Sequence, residues 1–121
     1  MLFRSSNVAA LNNLAWLLVK ASKAGAIPYA EQANILQPNQ PALMDTMAMA
    51  LAADKRIDQA LELQKKALAL APDSNVIKLG LARLYVQSGQ KAAARDLLEP
   101  LSKLGETFAD HAEVKSLVAG L

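Results

Sequence analysis

The sequence predicts an all-α protein, an α-solenoid in which helix pairs stack side by side. Three observations carry that prediction. One segment recurs at a spacing of 34 residues: Ala26, Ala60 and Ala94 align, as do Ala33, Ala67 and Leu101, Leu51 with Tyr85, Ala48 with Ala82, and Pro38 with Pro72. Each copy reads as an apolar-periodic helix, a short polar turn and a second such helix, and a helix pair repeated at this period marks a stacked solenoid. Finally, 53% of the 121 residues are hydrophobic but only 4% are aromatic. Ala and Leu dominate, and small side chains let helix axes approach closely.

The elements follow in order. Asn7 is suited to cap a first helix over about 8–21, because its side-chain oxygen can accept an otherwise orphaned backbone N–H. Lys20 to Gly25 turns the chain into a second helix over about 26–36, with Pro28 in the first turn, where its missing N–H is harmless. Gln37-Pro38-Asn39 ends that pair. A third helix over about 40–53 and a fourth over about 56–70 meet at Asp54-Lys55, and Ala71-Pro72-Asp73 ends them. The fifth spans about 74–88, turns at Ser88-Gly89-Gln90, and leads to the sixth over about 90–104. Pro100 falls late in that sixth helix, where it kinks the helix or removes one hydrogen bond, and Gly105 stops it. A last helix over about 110–119 begins at Asp110 with Glu113 at capping-box spacing. The repeats thus cover about 7–40, 41–74 and 75–106. With the capping helix they make one domain over 1–121.

Composition excludes several function classes. The net charge is +2 and no Lys/Arg run exceeds two residues, so a stripe for duplex nucleic acid is not expected. Absence of cysteine removes disulfides, thiolate metal sites and thiol catalysis. It leaves the compartment open, bacterial cytoplasm and periplasm being equally suitable. Met1-Leu2-Phe3-Arg4-Ser5-Ser6 is too short and polar for a signal peptide, and no apolar stretch is long enough to span a membrane. His111 is the only histidine and reads as a solvated surface residue. No nucleophile–base–orienter set and no phosphate-cradling glycine loop appear, so neither an enzyme nor a cofactor or metal site is expected.

The repeat resembles the tetratricopeptide repeat. That family places bulky apolar residues at positions 4, 7 and 11 of each copy, small residues at 8, 20 and 27, and Pro near 32. The second copy matches with Met44, Met47, Ala48, Leu51, Ala60, Ala67 and Pro72. The third carries Lys78, Leu81, Ala82, Tyr85, Ala94, Leu101 and Glu106, so the pattern weakens at both its ends. In the first, Leu11, Leu14, Ala15 and Leu18, then Ala26, Ala33 and Pro38, fit the two helices, with one residue missing from the turn between them. Gly89 fits the family's turn glycine, and Lys55 stands in its place in the second copy. A finer resemblance lies in Leu11-Asn12-Asn13-Leu14-Ala15-Trp16-Leu17-Leu18 and in Ala112-Glu113-Val114-Lys115-Ser116-Leu117-Val118. These look like the C-terminal repeats of a long bacterial tetratricopeptide lipoprotein that accompanies exosortase/PEP-CTERM sorting and exopolysaccharide loci.

The family resemblance implies a right-handed superhelix whose first helices line a concave groove. The groove-facing positions carry Asn12, Asn13, Trp16 and Lys20 in the first copy, Asp45, Thr46, Met49 and Ala53 in the second, and Leu79, Arg83 and Gln87 in the third. An asparagine amide can hold a peptide backbone through donor and acceptor together, and a guanidinium can bind a carboxylate bidentately. Asn13 and Arg83 are therefore expected to grip a ligand. Asp45, Thr46 and Leu79 depart from the lysine-containing clamp of the subfamily that binds chaperone tails, so that specificity is not implied. Trp16 reads either as an exposed anchor or as packing against Met47 and Met49. By register Met44 and Met47 are core residues and Met49 faces the groove. The resulting expectation is a non-catalytic module that binds a peptide or partner helix. The alternatives are an assembly segment of a larger repeat protein, self-associating through exposed end faces, and a factor associated with RNA or surface polysaccharide.

Overall fold

The computed structural model describes residues 7–121, in which seven α-helices follow one another without a strand: α1 (Val8–Lys20), α2 (Ala26–Leu36), α3 (Pro41–Ala53), α4 (Ile57–Leu70), α5 (Asn75–Gln87), α6 (Lys91–Ser102) and α7 (His111–Ala119). Met1 to Ser6, read above for a leader, lie outside the described residues. Asn7 caps α1 by accepting from the Ala10 N–H at 3.0 Å. Ser74 caps α5 through Ile77 N–H at 3.2 Å, and Pro41 opens α3 at a position that needs no N–H donor. The turns after α3 and α5 place Lys55 and Gly89, one repeat apart, at φ of 67° and 78°. The second turn uses the residue type that accepts this conformation freely, and the first tolerates a lysine there.

The turn that lost one residue is resolved by unwinding. Helices α4 and α6 begin three residues before Ala60 and Ala94, whereas α2 begins at Ala26 itself. Pro28 accounts for this start. A helix begun one turn earlier would need an N–H donor at position 28, which proline lacks.

The small residues of the repeat sit where helices cross. Ala15, Ala48 and Ala82, and Ala26, Ala60 and Ala94, are all buried, as are Ala33, Ala67 and Leu101. Helices pack α1 on α2, α3 on α4 and α5 on α6, while α2 and α4 also pack on the first helix of the following pair. Met44 is buried and Met47 only half-buried. Two carboxamides pin the stacking. Asn34 Nδ2 donates to Leu43 O at 3.0 Å, and Gln64 Nε2 to Ile77 O at 3.1 Å. Leu43 and Ile77 are repeat-equivalent, so both junctions are tied at the same carbonyl.

After α6, which runs through Pro100 to Ser102, a short 3-10 turn at Gly105–Thr107 folds α7 back over α5 and α6. Phe108 and Val114 are buried there with Leu79, Leu98 and Leu101. Two expectations are corrected at this corner. Asp110 and Glu113 form no capping box: the Asp110 side chain makes no cap bond, and Glu113 instead reaches across to Arg83. His111 is half-buried rather than solvated, with Nδ1 3.0 Å from Phe108 O, because the 3-10 turn brings that carbonyl against the ring.

Candidate groove across the first helices

Helices α1, α3 and α5 lie in order, and a concave cavity of about 970 Å³ opens along them, closed at one end by α7. The repeat sets three rungs across it. Asn12, Asp45 and Leu79 share one register position, Trp16, Met49 and Arg83 the next, and Lys20, Ala53 and Gln87 the third, and all nine line the cavity. Thr46 lines it as well, and α7 adds Asp110 and Glu113.

Asn13 does not line it and is exposed. Its repeat equivalents are Thr46 and Gly80, and its neighbour one turn on, Leu17, corresponds to Ala50 and Leu84. Thr46, Gly80, Ala50 and Leu84 are all buried, whereas Leu17 is 63% exposed. This side of each first helix is where the preceding pair stacks, and α1 has no preceding pair among the described residues. Asn13 therefore belongs to an end face, not to the groove.

Other lining residues form a floor more than a set of free groups. Leu79 and Met49 are buried, and so is Thr46, whose hydroxyl donates to Ala42 O at 3.2 Å within its own helix. Trp16 combines its two expected roles. It is half-buried against the cluster around Met49, and one edge lines the cavity, with Lys20 Nζ 5.4 Å from the ring centroid.

Arg83 is not a free anion receptor. Its Nη2 donates to Glu113 Oε1 at 2.8 Å, its Nε to Glu113 Oε2 at 2.5 Å, and its Nη1 points at Met49 Sδ at 3.0 Å. This bidentate pair outcompetes the capping interaction that the spacing of Asp110 and Glu113 suggested, because both partners are charged and both oxygens are used. Replacing Arg83 would also remove a bond between α5 and α7, so lost binding in such a variant would not by itself report a ligand contact.

Asp45 is the site's perturbed acid. Burial pushes its carboxyl above the ordinary value of 3.8, and the Gln64 hydrogen bond and the Arg83 charge oppose that rise. Gln64 itself is fully buried, bonds Asp45 Oδ1 and Ile77 O through Nε2, and leaves Oε1 without a partner. Sequence reasoning missed Gln64, Gly80 and Glu113. One signal was available for Gln64, which interrupts the small-residue stripe Ala60, Ala67 on a core-facing side. The raised acid has a consequence for stability. The contribution is full below pH 3.8 and is lost as pH rises through the higher folded value. Asp45→Asn is expected to remove that slope and to be relatively more stable than the parent near neutrality. Urea midpoints measured from pH 3 to 7 check this, and parallel curves for both proteins would refute it.

Comparison with known proteins bears on the fold and family. The tetratricopeptide repeat family matches residues 51–121, more than half of the chain. Among solved structures, that of a mutant of MamA superposes with a TM-score of 0.65 at 24% identity, covering 81% of this chain and 72% of that one, a likeness that supports the shared fold. No curated protein matches the chain. Helix pairs at a 34-residue spacing, small residues buried at every crossing and the matched second half agree: the chain belongs to the tetratricopeptide repeat family, a scaffold for binding protein partners.

Proposed function

We propose that this chain is a non-catalytic interaction module that holds a peptide or partner helix in the groove across α1, α3 and α5. The carrying observation is the half-buried Trp16 on a preformed cavity of about 970 Å³ whose floor is Met49, Leu79 and Thr46. A rigid aromatic over an apolar floor with polar edges is the arrangement of an anchoring pocket. Among the described residues no group of His, Cys, Asp or Glu is placed to hold a metal ion, and no helix is long and apolar enough to cross a membrane. Trp16 is the only tryptophan, so its fluorescence reports groove occupancy directly. Peptides selected from a random display library on the immobilised chain are expected to shift Trp16 emission to the blue on titration and to compete with one another. Ligands that bind while leaving that emission unchanged would place binding outside the groove.

A second reading, assembly through an end face, is favoured by Leu17. At the equivalent positions Ala50 packs under the α1–α2 pair and Leu84 under α3–α4, so the occupant that fits is another helix pair of the same kind. Light scattering across a concentration series checks it. Association abolished by Leu17→Asp supports the reading, and a concentration-independent monomer refutes self-assembly.

A further inference from the structure

We propose that the rung formed by Asn12 and Asp45 is a subsite for a basic side chain, arginine or lysine, carried by the peptide or helix that fills the groove. This rests on the groove reading above and deepens it.

Donors and acceptors on this rung do not balance. Asn12 Oδ1 is buried and has no hydrogen-bond partner. Across the rung, Asp45 accepts from Gln64 through Oδ1, and among the described residues no hydrogen bond is made to its Oδ2. The same Gln64 amide leaves Oε1 unpartnered. The third member of the rung, Leu79, offers nothing polar. The buried unmet atoms at this level, Asn12 Oδ1 and Gln64 Oε1, are therefore both acceptors, the one unbonded donor being Asn12 Nδ2, which is not buried. Buried acceptors left unpaired cost more than paired ones return.

Among the described residues, the two cations that line the cavity, Arg83 and Lys20, do not meet that need. Arg83, one rung away, has Nε and Nη2 on the Glu113 carboxylate and Nη1 on Met49 Sδ. Lys20 lies over Trp16 on the third rung, eight residues beyond Asn12, about 12 Å along the helix at about 1.5 Å per residue. Asp110, just before α7, adds further negative charge to the lining, while the Glu113 charge is matched by Arg83. A guanidinium or ammonium entering from the groove would supply donors to the free oxygen of Asp45 and, once the Asn12 amide turns toward the cavity it lines, to Asn12 Oδ1. It would also favour the charged form of a carboxyl that burial disfavours. An acidic ligand would meet Asp45 with both cations of the described lining already engaged.

The test uses the full chain and random linear peptides displayed in a library. Selected peptides are expected to share a basic residue at one fixed position. In a synthetic peptide from that set, exchanging arginine for its neutral isostere citrulline should weaken binding by about tenfold or more, read by Trp16 fluorescence. In Asp45→Asn, which can still accept from Gln64, the two peptides should bind alike. Equal affinities for arginine and citrulline peptides on the parent chain would overturn the subsite while leaving the groove reading standing. The same would follow if the arginine preference persisted undiminished in Asp45→Asn. Selected peptides that never shift Trp16 emission would sink the groove reading and the subsite with it.

Discussion

Gly80→Ala lowers stability by about 1–3 kcal/mol, even though alanine is the better helix former by about 1 kcal/mol. The position is inside α5 and buried. A Cβ there would run into Gln64 Nε2 and lie 2.8 Å from Asp45 Oδ1. Both neighbours are side-chain ends, which elsewhere could swing away. Here Gln64 is fully buried and tied to Asp45 and to Ile77 O, so any movement strands polar atoms in the core. Loss of such partners costs about 1–3 kcal/mol, enough to outweigh the propensity gain. Urea unfolding monitored by helical circular dichroism gives the sign. In a Gln64→Ala background the Gln64 contact is gone and Asp45, no longer bonded to it, can turn away, so Gly80→Ala should become neutral or stabilising. Strict additivity of the two changes would show that the contact is not what makes glycine necessary.

Ala60→Leu destabilises by a similar amount, about 1–3 kcal/mol, by overpacking. Ala60 has 0% exposure and lies in the cluster with Ala48, Leu51, Ala52 and Leu81, between α3 and α4. A larger side chain must push the helices apart or leave its rotamer, because neighbouring space is already filled. The exposed Gln59, one residue earlier, is the control. Gln59→Leu should change the thermal midpoint little. A neutral Ala60→Leu would mean that the crossing is looser than its burial implies.

Much of the groove was legible without coordinates. Asn12, Trp16, Lys20, Asp45, Met49, Leu79, Arg83 and Gln87 fall on it because a 34-residue repeat brings equivalent faces of successive first helices into line. Asn13 was misplaced for an equally physical reason. One residue is about 100° around a helix, and Asn13 lies on the side where Thr46 and Gly80 meet the preceding pair. The state of each lining residue was not legible. Arg83 looks identical in sequence whether it waits for a ligand or is held by Glu113, thirty residues away.

The sequence by itself determined the helices, the Asn7 cap, the turns, the buried alanines and the family. Those features depend on local period, on capping chemistry and on the room left where two helices cross, all of which are written within a repeat. Only the tertiary structure decided that α7 is strapped to α5 through Arg83 and Glu113, and that Gln64 ties Asp45 to α5 beside Gly80. These pairings join residues from different repeats or from the cap. The angle at which each pair stacks on the last selects them, and no single repeat encodes that angle.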